Sequence, residues 1–288
     1  MTFLTQQSLG FSQLARSRRG VNTRCVFSVE VLNLLRAAES QTIAALLCPG
    51  ARILEVGAGT GRQALDLKAR GFDVEAIEMP DSNYNQDRLF PITNYDGRHF
   101  PFPDASFEIV LSSNVLEHVP DLRALHSEIR RVLRPGGTCV HVLPTPVWRF
   151  WTTLTAFPAA FQKVYALRSL LTEPGLSIAG KLSRCGLVAL KTIRCLLAPF
   201  FPSRHGQRGT FLSELWLFRP SWWRRNFRSN GFDIVTDEPM GLFYTGNLVL
   251  GLRVSIKTRA RWARTLGSAC HVFKLRPASA AQPPEKAA

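Results

Sequence analysis

Apolar residues recur in short runs along the first half of the chain, and the stretches between these runs have the apolar spacing of helices. Four runs predict buried strands, at residues 52–56, 72–77, 107–112 and 138–143. Two stretches predict helices, at residues 61–70 and 121–133, the second with Asp121 as its N-cap. Strands that alternate with helices favour an α/β fold with a doubly wound sheet, in which ligands bind at the carboxyl ends of the strands.

Residues 216–256 indicate which elements complete the sheet. Residues 216–227 predict a helix, residues 227–235 a helix end that leads into a strand, and residues 248–256 the antiparallel hairpin partner of that strand. We therefore expect five segments in the chain. They are an N-terminal helical segment (1–50), a ligand-binding core (51–143), a helical basic and aromatic insertion (144–210), the completion of the sheet (211–257) and a basic, partly disordered tail (258–288).

A turn with three glycines follows the first predicted strand. Gly57, Gly59 and Gly61 alternate with other residues, and glycine lets the backbone adopt positive φ and come close to a ligand. A dinucleotide fingerprint needs its third glycine at position 62, where this chain has arginine, and no Gly-Lys-Ser/Thr follows for a P-loop. Glu55 places a carboxylate beside the turn, which disfavours a pyrophosphate and favours a cation. The turn therefore indicates a cationic nucleoside without phosphates.

Residues 50–143 also contain a series of further motifs in a fixed order. After the glycine turn come Val74-Glu-Ala-Ile-Glu78, Asp96-Gly97, Phe100-Pro-Phe-Pro-Asp-Ala-Ser-Phe-Glu-Ile-Val110, Ser112-Ser-Asn-Val-Leu-Glu-His-Val119 and Glu128-Ile-Arg-Arg-Val-Leu-Arg-Pro-Gly-Gly137. With these motifs the chain resembles class I S-adenosylmethionine-dependent methyltransferases, and within them the small-molecule group that includes quinone-biosynthesis enzymes. The resemblance implies a Rossmann-like, mostly parallel seven-stranded sheet with an antiparallel edge strand, and a substrate lid in the insertion.

The resemblance also implies which residues bind S-adenosylmethionine. Glu78 would accept both ribose hydroxyls, Asp96 would bind the adenine amino group, and Glu55 with residues 112–114 would hold the methionyl end. The expected cofactor-binding residues are Glu55, Gly57, Ala58, Gly59, Gly61, Glu78, Asp96, Gly97 and Asn114. The alternatives are that Glu78 is a solvated strand end and that Asp96 only forms the turn before Gly97.

Candidates for catalysis and for metal binding are fewer. A hydroxyl acceptor would benefit from a general base, and His205, in a polar loop before Gly206, is the first candidate, although a single loop histidine is often idle. Glu117 and His118 after the strand at 107–112 are a second option. The six cysteines include no C-x-x-C pair, so we expect reduced, buried thiols and no metal site.

Charge is distributed unevenly within the total of +15. Residues 51–143 hold ten Lys/Arg and 13 Asp/Glu, whereas residues 144–228 hold 13 Lys/Arg and two Asp/Glu. An anionic partner would therefore meet the insertion and not the glycine turn. Within it, residues 147–171 are rich in aromatics, and residues 181–197 place lysines and arginines on one arc and leucines on the facing side. This pattern fits an interfacial membrane helix and, equally, a lid that packs on the core.

The N-terminal segment allows two interpretations. It holds four arginines and no acid before Glu30, which is typical of an organellar transit peptide, but a helix over residues 26–47 that packs on the sheet is favoured. We accordingly expect a cytoplasmic protein, peripheral to a membrane through residues 144–210.

These observations favour a methyltransferase that acts on a small hydrophobic or lipid-linked acceptor, with O-methylation favoured. An RNA methyltransferase is the alternative, suggested by the basic composition and by Trp222-Trp-Arg-Arg225. The base-modifying motif Asn/Asp-Pro-Pro-Tyr is missing after the strand at 107–112, so nucleic acid is the less favoured partner. A non-catalytic binding module of the same fold is the third hypothesis.

Overall fold

A single mixed sheet forms the centre of the protein. The structure is a computed structural model that describes residues 29–82, 84, 86–167 and 178–278. The strands are β1 (Arg52–Val56), β2 (Asp73–Glu78), β3 (Thr93–Asn94), β4 (Phe107–Ser113), β5 (Leu133–Pro144), β6 (Phe232–Pro239) and β7 (Cys270–Pro277). Their order across the sheet is β3-β2-β1-β4-β5-β7-β6. The first five pair in parallel, and β7 is antiparallel to both of its neighbours. The predicted doubly wound, mostly parallel α/β sheet of seven strands is confirmed.

Helices cover both faces of this sheet. They are α1 (Val29–Ala45), α2 (Arg62–Ala69), α3 (Leu122–Val132), α4 (Pro146–Leu167), α5 (Ile178–Leu197), α6 (Glu214–Leu217), α7 (Pro220–Ser229) and α8 (Ile256–Leu266). Successive residues of β1 face opposite sides: Ile53 packs with the α1 and α2 layer, and Leu54 with the α3 and α7 layer. Because both faces are covered, β1 and β4 are buried along most of their length, as predicted.

Local signals place the ends of these helices. Asp121 caps α3, since its Oδ1 accepts a hydrogen bond from the Ala124 N–H at 3.0 Å, which confirms the predicted N-cap. The single helix predicted over residues 216–227 is instead two helices, because Pro220 begins α7 and cannot continue α6.

The sheet is completed by residues other than those predicted. The prediction that residues 248–256 form the antiparallel partner of β6 is wrong: Gly251–Arg253 is a 3-10 turn, and Leu252 is exposed. The partner is β7, which pairs with β5 on one side and with β6 on the other. A strand between two others needs buried side chains, and Val272, Phe273 and Leu275 provide them. Residues 258–277, expected to belong to a partly disordered tail, therefore contribute to α8 and β7.

Three further expectations concern other parts of the chain. Of the five described cysteines, all free, Cys139 and Cys270 are buried as predicted, but Cys48 and Cys185 are exposed because they lie on a turn and on the outer part of α5. The N-terminal arginines and residues 279–288 lie outside the described residues.

Within residues 29–167 and 178–278, apart from positions 83 and 85, no helix combines the length and the apolarity that a membrane span requires.

Candidate functional site

The turn between β1 and α2 has the backbone conformation that its glycines predicted. Gly57, Gly59 and Gly61 have φ of 70°, 58° and 74°. The Gly57 N–H donates to the Ile77 carbonyl at 2.9 Å, which holds the turn against the end of β2. A Cβ on Gly57 would lie 2.5 Å from Val115 Cγ2, so a larger residue does not fit there. Ala58, next in the turn, is buried in the core.

Glu78 ends β2 directly opposite this turn. Its Oε2 accepts a hydrogen bond from the Gly59 N–H at 2.7 Å, and its Oε1 accepts one from the Met79 N–H at 2.8 Å. The side chain is thus fixed toward the glycine turn instead of pointing freely into solvent. Two carboxylate oxygens have about four acceptor positions, so Glu78 retains capacity for the hydroxyls of a ribose.

Asp96 forms a tight turn and remains ionised. Its Oδ1 accepts hydrogen bonds from the Arg98 and His99 N–H groups, each at 2.8 Å, and these bonds lower the pKa of Asp96. Gly97 follows at φ 78°, and a Cβ there would lie 3.4 Å from the Met79 sulfur. The Asp96 turn therefore adjoins the end of β2. The turn-forming interpretation of Asp96 holds in the structure, and its adenine-binding role stays a prediction.

Glu55 is a buried carboxylate with an unused acceptor. The Ala64 N–H in the first turn of α2 donates to it, but among the described residues its Oε2 has no hydrogen-bond partner. Burial raises the pKa of Glu55 to about 8. A buried carboxylate oxygen without a donor fits a cationic group of a ligand. S-adenosylmethionine carries such groups, so the turn, Glu78 and Glu55 together fit this cofactor.

Arg36 on α1 joins the site, a contact that the motifs of the sequence do not predict. Its guanidinium pairs with Glu39 and lies 3.4 Å from Ser113 Oγ. With the Asn114 amide assigned so that its oxygen faces α1, that oxygen accepts bonds from Arg36 Nη1 at 2.8 Å and Nη2 at 3.0 Å. Asn114 itself has a positive φ of 55°. A charged pair three residues apart on the buried face of a helix was the available signal.

A second group of side chains lies beyond the end of β4. Glu117 is buried, and both of its carboxylate oxygens lack hydrogen-bond partners among the described residues. His118 Nε2 lies 3.7 Å from Glu117 Oε1, and His205 Nε2 lies 3.8 Å from the same oxygen. The two imidazole rings pack at 4.6 Å, and burial lowers the pKa of His118. The sequence offered His205 and the Glu117–His118 pair as separate candidates, and the fold brings them together.

Glu214 of α6 fixes the loop that carries His205. Its Oε1 accepts the N–H of His205 at 2.5 Å and that of Gly206 at 2.7 Å. Its Oε2 lies 3.1 Å from Arg149 Nε of α4, and both charged side chains are buried. A Cβ on Gly206 would lie 2.8 Å from the Glu117 carbonyl oxygen, so the close approach of the loop to Glu117 requires glycine.

The same group has the composition of a metal site. One ligand atom each from Glu117, His118 and His205 lies within 4.8 Å of the others. Imidazole and carboxylate together suit divalent transition metals. The sequence-based expectation that this protein binds no metal therefore stays a prediction.

The region that contains the glycine turn is similar to known proteins. Residues 54–141 match the profile of a methyltransferase domain family. A relative from Mycobacterium sp. (strain KMS), named only as an uncharacterized methyltransferase, is 38% identical over 126 residues, which cover 41% of this chain and 46% of the relative. The ubiquinone biosynthesis O-methyltransferase of Psychrobacter cryohalolentis is 31% identical over 117 residues, 36% of this chain and 45% of that protein. The chain thus spans a little less than half the length of these relatives.

A solved structure agrees in fold. The complex between the Haloferax volcanii Trm112 methyltransferase activator and a methyltransferase matches with a TM-score of 0.50 at 12% identity, over 88% of this chain and 95% of that chain. The matched residues include the glycine turn and Glu78, the acid that ends β2. The seven-stranded sheet extends beyond them. Residues 54–141 therefore match a methyltransferase domain, and the residues around the glycine turn fit S-adenosylmethionine as its cofactor.

Proposed function

We propose that this protein transfers a methyl group to an oxygen of a small hydrophobic or lipid-linked acceptor. One observation carries the proposal: the carboxylates around the glycine turn and the Glu117–His118–His205 group lie at the same end of the sheet. Asn114 and Glu117 are only three residues apart after β4. A binding site for the methyl donor thus adjoins a group that can accept a proton.

Different residues of this chain bind different parts of the cofactor. When bound, S-adenosylmethionine supplies an activated methyl group on a sulfonium. Glu78 binds the ribose, Asp96 and Gly97 the adenine, and Glu55 the amino group, while Arg36 pairs with the carboxylate. Positioning of the acceptor oxygen against the methyl carbon is the main task left to the protein, and such positioning contributes about 7 to 11 kcal/mol.

His205 is proposed as the general base for an acceptor hydroxyl. When the new oxygen–methyl bond forms and the sulfur–methyl bond breaks, the hydroxyl proton leaves, and a free imidazole nitrogen accepts it. The buried Glu117 carboxylate stabilises the resulting imidazolium, since His205 Nε2 lies 3.8 Å from it. The Trp148 ring also packs against the His205 ring, with the ring centroids 4.6 Å apart.

Support for a hydrophobic acceptor comes from two sources. The relative from Psychrobacter is named for ubiquinone biosynthesis, and ubiquinone is itself lipid-soluble. The insertion also exposes large apolar side chains on α4 and α5. We accordingly propose a cytoplasmic enzyme that is peripheral to an anionic membrane through residues 144–210, where its acceptor dissolves.

Cofactor binding is tested by calorimetric titration of S-adenosylmethionine. We expect Glu78→Ala to weaken binding roughly tenfold to a hundredfold, since hydrogen bonds to charged groups contribute about 1.5 to 3 kcal/mol. Glu75→Ala is the matched control, because Glu75 lies on the same strand and only approaches Arg52, at 3.9 Å. If Glu78→Ala and Glu75→Ala bound S-adenosylmethionine with equal affinity, the ribose would not contact Glu78. No binding by the wild type would favour the non-catalytic module.

The role of His205 is tested by kinetics with radiolabelled methyl donor and a phenolic or quinol acceptor. We expect His205→Gln to lower kcat by roughly a hundredfold to ten-thousandfold and to remove the acidic limb of the pH profile. Gln207→Ala is the control, since Gln207 is exposed in the same loop. An unchanged kcat would exclude His205 as the base. Loss of activity with a chelator, restored by a divalent cation, would instead assign the three side chains to a metal.

The RNA alternative has less structural support. Trp223 is buried in the core and cannot contact nucleic acid, and Arg224 already pairs with Asp237. Salt-sensitive RNA binding with methylation of RNA, and none of quinols, would restore this hypothesis.

A further inference from the structure

A cavity lies between α4 and the segment that follows α5, away from the cofactor turn. Its volume is about 420 Å³, within the range of ligand pockets. Ala156, Ala159 and Ala160 of α4 leave the space open, and three cations, Arg149, Lys163 and Arg194, line it. Among the described residues that line it, none is acidic. The cavity therefore suits an anionic group.

The three cations differ in how they are paired. Arg149 is buried at the inner end, where Nη2 donates to the Ser203 carbonyl at 2.8 Å and Nε faces Glu214. Lys163 is half-buried and Arg194 exposed, and within the part of the chain that the structure describes neither has an acidic partner. Two cations that share a cavity without a counter-ion repel each other, and a bound anion would relieve this repulsion.

The surface around the cavity is apolar. Twelve large apolar side chains between residues 150 and 201 are 37% to 79% exposed. On α4 they are Phe150, Leu154, Phe157, Phe161 and Tyr165, which repeat every three or four residues and form one stripe. On α5 and the following turn they are Leu187, Leu190, Ile193, Leu196, Leu197, Phe200 and Phe201. The α5 side chains that are half-buried, Val188, Thr192 and Cys195, share the opposite face of that helix.

Two contacts join these features into one surface. The Phe157 ring of α4 packs against the Phe200 ring after α5 at 5.3 Å, so the two apolar sets are continuous. Phe201, the most exposed of them, also lines the cavity. A continuous exposed apolar surface of this extent is typical of a membrane or partner interface. Cations next to the apolar side chains favour the interface of an anionic bilayer.

We propose that this cavity binds the phosphate head group of an acidic phospholipid while the surrounding apolar side chains enter the bilayer. Lys163 and Arg194 contact the phosphate at the rim, and Arg149 closes the inner end. The inference deepens the peripheral-membrane role proposed above and rests on it. It does not depend on methyl transfer, because lipid binding is measured without S-adenosylmethionine.

The test is co-sedimentation of the full chain with vesicles of phosphatidylglycerol and phosphatidylcholine, compared with phosphatidylcholine alone. We expect binding to the anionic vesicles only. Lys163→Gln/Arg194→Gln should weaken it by roughly tenfold or more. Arg261→Gln/Arg264→Gln on α8 removes the same charge from exposed positions and should have a clearly smaller effect. Equal losses in the two double variants would overturn the cavity site.

Two further experiments distinguish the contribution of the apolar side chains from that of the phosphate group. Phe161→Ser and Phe201→Ser should reduce vesicle binding without a change in thermal unfolding, because both side chains are exposed, whereas Leu252→Ser should not. Glycerol 3-phosphate should compete with the vesicles in the wild type. If it protects the protein from thermal unfolding while vesicles do not sediment it, the ligand is a soluble phosphate compound and the lipid proposal is wrong.

Discussion

At the scale of single residues, we expect Glu55 to couple cofactor binding to pH. Burial holds its pKa at about 8 in the free protein, against 4.5 for an ordinary carboxyl. The folded state therefore keeps a proton that the unfolded state releases, and this residue lowers stability as pH rises from 4.5 to about 8. A cationic ligand beside the carboxylate lowers the pKa again, so binding should release the proton.

We predict that S-adenosylmethionine binding at neutral pH releases about one proton and that affinity rises with pH, by less than tenfold per unit, up to about pH 8. Calorimetry in two buffers of different ionisation enthalpy measures this proton. Glu55→Gln should abolish the release and weaken binding, while Glu75→Gln should change neither. A buffer-independent binding enthalpy in the wild type would show that Glu55 does not face the cationic end of the cofactor.

Residues of the site were predictable to the extent that they follow strands directly. Glu55 and Glu78 stand at fixed places in or at the end of a strand, so the sequence pattern determines where they lie. Arg36 and the contact between His205 and Glu117 depend on how distant segments pack. His205 is 88 residues away from Glu117 in the chain, and the loop that carries it is held by Glu214 and Arg149. Local pattern carries no information on such contacts.

At the scale of elements, β7 shows why the sheet could be predicted only in part. The parallel strands β1 and β4 are mainly apolar, but residues 270–277 contain His271, Lys274 and Arg276 between apolar residues and look like an exposed edge. Residues 248–256 are more apolar, with Arg253 as their single basic residue, and so look more like a buried strand. Which of the two enters the sheet is decided by packing: Lys274 reaches the Leu46 carbonyl after α1 at 2.6 Å, and His271 contacts Asp237 of β6 at 2.5 Å.

Because β7 lies inside the sheet, substitutions at Phe273 and Leu252 should differ sharply in their effect on the free energy of unfolding. Phe273 is fully buried between β5 and β6 and contacts the Phe227 ring, so Phe273→Ala should lower the free energy of unfolding by about 3 to 5 kcal/mol. Leu252 is 59% exposed in the segment first expected to be the strand, and Leu252→Ala should cost less than about 0.5 kcal/mol. Denaturant unfolding measures both. The reverse order would place residues 248–256 in the sheet.

At the scale of the whole molecule, α4 of the insertion is joined to α6 through a buried ion pair. The basic segment 144–228 has few acids, and its only described one, Glu214, is buried against Arg149. This carboxylate has two functions, because it pairs with α4 and also accepts the N–H groups of His205 and Gly206. α4, which lines the proposed lipid cavity, and the loop of the candidate base are thus held by the same side chain.

Substitutions at Glu214 should affect the stability and the activity of the protein in different ways. Glu214→Ala leaves the Arg149 guanidinium buried without its partner, which should cost about 3 to 5 kcal/mol in unfolding free energy. Arg149→Met/Glu214→Leu fills the same space with apolar atoms and should recover most of that loss. Activity should remain low in both, because the loop N–H groups at His205 and Gly206 have lost their acceptor. If the double variant regained both stability and kcat, the position of His205 would not depend on Glu214, and the loop would be held by its contact with the Glu117 carbonyl alone.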